Sequence, residues 1–140
     1  MERWVWFAIA SMAFAGFTSV IAKLGLQGIS GELGLTVRTI FVGLFVFVFA
    51  AVAVRREEFQ NLTWANFGWL ALSGLTTAGS WIFYYKALSE GDVSTIALID
   101  KGSFVVAVFL AWLILGEAIS WRVLLGGGLI VAGLFVVAKR

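Results

Sequence analysis

Long apolar runs separated by short polar joints set the pattern of this chain. Trp4 to Ala22 is uncharged and closes at Lys23, and Leu33 to Val54 follows with Arg38 as its single charge. Leu62 to Tyr85 ends at Lys86, Val93 to Leu115 carries Asp100 and Lys101, and Ile119 to Ala138 is flanked by Arg122 and by Lys139-Arg140. A helix rises about 1.5 Å per residue and the hydrocarbon core of a bilayer is about 30 Å thick, so roughly 20 mainly apolar residues span it. The runs meet that length, whereas a membrane strand needs only about 10 residues in alternation. The pattern predicts an all-α membrane protein of five transmembrane helices, over about 4–25, 33–54, 63–88, 93–115 and 119–138, in a single domain over 1–140. The joints, Gly28 to Glu32, Arg55 to Asn61, Ser89 to Asp92 and Gly116 to Ser120, hold glycine and polar residues. They are short, which makes sequential helices antiparallel neighbours.

Composition narrows the function. Hydrophobic residues make up 61% and charged ones only 13%, against about a quarter charged in a globular domain, so a soluble fold has nowhere to put the apolar surface. There is no cysteine and no histidine. That removes thiolate nucleophiles, Cys/His zinc sites, imidazole ligation of haem and Ser-His-Asp or Cys-His arrangements. No metal, no cofactor and no enzymatic activity are expected. The formal charge of +2 is scattered at helix ends, which gives no stripe for nucleic acid. Trp4, Trp6, Trp64, Trp69 and Trp121 fall near helix ends, where an indole suits the headgroup layer, while Trp81 and Trp112 lie deeper. Met1-Glu2-Arg3 followed by an apolar stretch and Ala13-Phe14-Ala15 resembles a signal peptide, but it has no positive n-region and stays apolar beyond Ala15, so it is read as a retained helix. The expected place is the cell (inner or plasma) membrane, multi-pass, with the lipid bilayer as first partner.

Five crossings put Arg3, Arg55, Arg56 and Arg122 on the N-terminal side, and Lys23, Lys86, Lys139 and Arg140 on the other. With four basic residues on each side, the positive-inside rule does not choose an orientation. The intramembrane charges are less even. Lys23, Arg38, Lys86, Asp100 and Lys101 all fall in the half opposite the N-terminus, so one subunit alone is polar at one end and sealed at the other. Two antiparallel copies balance, and they acquire the in-plane two-fold symmetry from which many transporters obtain two interconvertible faces.

Charges inside a bilayer cost roughly 2.5–3.5 kcal/mol each at the centre on insertion scales, so they need partners, water or a function. Lys23 and Lys86 are near enough to the interface to snorkel. Arg38 is deeper, and either reaches the interface or recognises a polar or anionic group. Asp100 is too short to snorkel. Its neighbour Lys101 points about 100° away on a helix, so Arg38 or Lys86 is the better-placed counter-ion, and the residue serves either a structural ion pair or substrate or proton handling. Ser80, Trp81, Tyr84 and Tyr85 gather hydroxyls and aromatic faces at one helix end, as a pocket wall or as part of the interfacial belt. Among small residues, Gly126 and Gly133 are seven apart and return to nearly the same helix face, and Gly74 and Ala78 form a small-xxx-small step; both are candidates for close helix approach.

Ala22-Lys23-Leu24-Gly25-Leu26, Val37-Arg38-Thr39, Ser80 to Leu88, Ile99-Asp100-Lys101-Gly102-Ser103, Leu115-Gly116-Glu117 and Gly126 to Gly133 occur in an order and spacing that resembles the EamA repeat of the drug/metabolite transporter superfamily. The five-helix length resembles its single-repeat bacterial and archaeal branch. Larger relatives carry two inverted repeats and export metabolites, amino acids or drugs. The resemblance therefore implies that this chain is one half of an inverted-repeat transporter, completed by an antiparallel homodimer or a similar half-transporter chain, and that it moves a small-molecule substrate by alternating access. Gly126 to Gly133 also resembles the dimerising glycine pattern of the small multidrug resistance proteins. Their membrane glutamate in the first helix has no counterpart in Ala13 to Ser19, so their proton-coupled mechanism does not carry over. Glu117 resembles the family's Gly-Glu turn and is read as a helix-end residue. The alternative function is a non-transporting assembly or regulatory subunit, in which the charges only pair and orient helices.

Overall fold

The computed structural model describes residues 2–138, and these are helical with no strand among them. Six α-helices follow in order: α1 Arg3–Gly25, α2 Gly31–Ala53, α3 Trp64–Glu90, α4 Val93–Asp100, α5 Ser103–Leu115 and α6 Trp121–Ala138. A short 3-10 helix, Arg56–Asn61, occupies the joint before α3. Lys139 and Arg140, two of the flanking cations counted above, lie outside the described residues.

Local chemistry explains where the helices begin and end. Ser30, Thr63 and Ser120 stand just before α2, α3 and α6, and their hydroxyls accept from the backbone N–H of Leu33 (3.2 Å), Asn66 (3.1 Å) and Val123 (3.3 Å). Each satisfies one of the N–H groups that a helix start leaves without an intrahelical acceptor. The left-handed φ of 68° at Gly116 closes α5, and the Glu117 N–H reaches back to Ala111 O at 3.2 Å, a Schellman-type end that only glycine enters without strain. Glu117 is thus a helix-end residue in its backbone role.

Arg3–Gly25, Gly31–Ala53 and Val93–Leu115 are long and apolar enough to cross a membrane. Helix α3, at 27 residues, has the length but not the apolarity, because serines, threonines, tyrosines and Lys86 are distributed along it. Helix α6 is apolar but shorter. The single helix expected over 93–115 is interrupted. At Lys101-Gly102 the backbone stays right-handed, but Lys101, Gly102, Phe104 and Val105 donate to the carbonyls three residues back, so the rod tightens into 3-10 turns.

Packing divides the chain into two units, residues 21–90 and the remainder, 1–20 with 91 onward. In the first, α2 and α3 cross where Gly31 meets Tyr85. A Cβ on Gly31 would stand 2.6 Å from the Tyr85 carbonyl oxygen and 2.9 Å from its carbon, so only glycine lets the two backbones approach this closely. Leu88, fully buried, Tyr85 and Leu26 close around that crossing. In the second unit, Gly102 lies against Leu134, and Gly127 faces the Phe104 ring, whose Cε2 would stand 2.8 Å from an added Cβ. The Leu, Phe and Val side chains that face away from these crossings are exposed, as expected where lipid takes the place of a core.

Candidate functional site

Away from the Gly31 crossing, α2 and α3 run antiparallel and leave a groove of about 1040 Å³ between them. Helix α2 lines it with Glu32, Leu35, Thr36, Thr39 and Ile40, and α3 with Leu70, Ser73, Gly74, Thr77, Ala78, Trp81, Ile82 and Lys86. Steps of three and four residues put each set on one helix face. The lining alternates between apolar contact surface and hydroxyls. Thr36, Thr39 and Thr77 each donate to a carbonyl one turn back, at Glu32, Leu35 and Ser73, all at 2.8 Å. Gly74 and Ala78, expected to bring helices together, instead line the open space, and a Cβ on Gly74 would meet nothing within 4 Å.

The end of the groove nearest the crossing is charged. Lys86 Nζ lies 3.3 Å from Glu32 Oε1, with both side chains more than half exposed. The Arg38 guanidinium stacks on the Trp81 ring at 4.2 Å from its centroid and stands 5.7 Å from that of Tyr85. Such cation–π contacts hold a guanidinium where no carboxylate is available. Arg38 Nη1 is buried and has no hydrogen-bond partner. Lys23 donates to Leu88 O at 2.6 Å, which places a cation on the carbonyl end of α3, where the helix dipole favours it.

Four of the residues singled out in the sequence thus meet within residues 21–90: Lys86 and Trp81 in the groove wall, Arg38 behind Trp81, and Lys23 on the end of α3. Tyr85 belongs to the buried crossing, and its ring lies 6.4 Å from that of Tyr84. Ser80 and Tyr84 are not among the lining residues. Asp100 and Lys101 belong to the other unit and pair with each other, Oδ2 to Nζ, at 3.5 Å. Lys101, expected to point away from Asp100, is its ion-pair partner, because the long, flexible lysine stem reaches back to the carboxylate. Glu32 and the groove hydroxyls were not singled out. Their signal was Ser and Thr recurring at three- and four-residue steps, 36 with 39 and 73 with 77, on otherwise apolar helices.

Gly126 and Gly133 face open space, since an added Cβ at either meets nothing within 4 Å, while Gly127 between them carries the contact with Phe104. The small residues of α6 therefore serve two directions, one inside the unit and one away from it.

The model of the EamA-like transporter family matches residues 2–139. The chain is 32% identical, over 137 residues, to a Sinorhizobium sp protein described as an uncharacterized transporter in the cobO 3′ region; the match covers 98% of this chain and 97% of that one. No solved structure matches.

Proposed function

The chain belongs to the EamA-like transporter family, and on that footing we propose that it is a secondary transporter, exporter or permease, of a small metabolite or drug-like solute, with the α2–α3 groove on the solute's path. The observation that carries this reading is the groove itself, about 1040 Å³ in volume and lined by hydroxyls and one ion pair between otherwise apolar helices. Sites for small molecules commonly measure about 300–1,000 Å³, with few polar groups in a mainly apolar wall. Polar groups at membrane depth are costly unless they face a cavity or a partner, and these face a cavity.

One chain supplies the α2–α3 groove and a charge pattern concentrated in one half. Two copies in opposite orientations, or this chain with a similar half-transporter, give the two-faced arrangement that alternating access uses. The open glycines of α6 favour a helix partner there, because small residues let backbones approach in lipid. The membrane in question is the cell membrane.

Reconstitution into liposomes tests the reading. Purified protein is expected to move at least one solute of a metabolite and drug panel above the protein-free rate. Gly74→Leu, which fills the groove where there is open space, is expected to cut that flux about tenfold or more while the protein stays monodisperse in detergent. Flux that Gly74→Leu leaves unchanged would remove the groove from the path.

A further inference from the structure

Three cations of residues 21–90 converge on the crossing end of the groove, and they are not equivalent. Lys23 is held by the carbonyl end of α3, and Lys86 by Glu32. Arg38 has aromatic faces but no carboxylate within ion-pair distance among the described residues. Set against Lys86 and Arg38, the single carboxylate of Glu32 leaves an excess positive charge. Stacking on Trp81 covers a face of the guanidinium and leaves its N–H groups pointing outward in the plane. One of them, on Nη1, is buried without an acceptor, a standing cost that an oxygen anion would remove. Trp81 joins the two features, since it lines the groove and carries Arg38, which puts the guanidinium one ring behind the wall.

The wall adds a second constraint. Thr36, Thr39 and Thr77 give their protons to helix carbonyls, so toward the groove these hydroxyls have only lone pairs to offer. A ligand that matches them carries donors along its body.

Resting on the groove reading above, we infer that the crossing end of the groove is an oxyanion site, and that the transported solute is an organic carboxylate with hydroxyl or N–H donors on its body. Lys86, exposed in the wall, makes the first contact, and Arg38 takes the carboxylate once Trp81 shifts. A phospholipid phosphate presents the same oxyanion chemistry to this site, so the test separates the two sources.

Three probes of similar size isolate the features: mandelate has charge and donor, mandelamide has the donor without the charge, and phenylacetate has the charge without the hydroxyl. Calorimetric titration of the purified protein in an uncharged detergent is expected to show mandelate binding about tenfold or more tighter than mandelamide, the scale of a charged hydrogen bond, and several-fold tighter than phenylacetate. Arg38→Gln is expected to bring the mandelate to mandelamide ratio close to one. Lys86→Gln, at an exposed position, is expected to lower the ratio in part and serves where Arg38→Gln fails to fold. A ratio that survives both variants, or no binding of mandelate, overturns the inference. So does phosphatidylglycerol binding with the same Arg38 dependence while no soluble acid binds, which would make this a headgroup site. Flux that is sensitive to Gly74→Leu and indifferent to Arg38→Gln and Lys86→Gln would keep the transport path and discard the anion site. Flux indifferent to Gly74→Leu would discard the path itself.

Discussion

At the scale of single residues, position decides whether a glycine or a charge is structural. Gly31 has no room for a methyl group against the Tyr85 backbone, whereas Gly43 has nothing within 4 Å of an added Cβ. Gly31→Ala is therefore expected to destabilise by about 1–3 kcal/mol, as overpacking does, and Gly43→Ala to stabilise by roughly 0.5–1 kcal/mol through helix propensity. Thermal midpoints in detergent check the pair, and a harmless Gly31→Ala would mean that the crossing is looser than described. Charges read in the sequence as costly in lipid found specific partners. Lys23 found a helix end, Lys86 found Glu32, and Arg38 found two rings. Residue type and place in an apolar run were legible for all three. The partners were not, because Glu32 falls in a Gly- and Ser-rich joint that reads as loop, and stacking on an aromatic leaves no charge pattern in the sequence. Gly31 was invisible for a similar reason, since a close approach belongs to two segments more than fifty residues apart.

At the scale of elements, the apolar runs fixed the helices to within a few residues, because membrane thickness and the polar joints both constrain their ends. The break in the fourth run escaped this logic. A glycine inside an apolar run is compatible with a continuous helix, and what distinguishes Gly102 is the crowding of an added Cβ, which would stand 3.0 Å from the Ile99 carbonyl oxygen and 3.1 Å from Leu134 Cδ1. Gly102→Val is expected to push α6 away and cost about 1–3 kcal/mol, read as a lower thermal midpoint; an unchanged midpoint would argue that the tight turn is set by α4 and α5 alone. Asp100, at the end of α4, has Lys101 as its cation. A carboxylate paired next door is placed to hold a turn, so Asp100→Asn is expected to leave the pH profile of transport where it was. A displaced profile would return Asp100 to proton handling. Helix α3 carries the opposite lesson, since part of its shortfall in apolarity as a lipid-facing span, Ser73, Thr77 and Lys86, lines the groove.

For the molecule as a whole, the even division of basic flanks bears on insertion. A single Arg140→Cys in a chain without native cysteine reports sidedness to an impermeant thiol reagent. Labelling of about half the population from each side of the membrane is the expected result for antiparallel copies. Labelling from one side alone would transfer the role of second half to a different chain. Within residues 21–90, the place of Gly31 has a mechanical consequence. Two rods pinned near one end open like scissors. A rotation of about 10° at the pin shifts Ala53, about 33 Å along α2, by about 6 Å, yet shifts Arg38, about 10 Å from the pin, by under about 2 Å. The ends of α2 and α3 away from the crossing can therefore part or close while the charged residues near the pin hardly move.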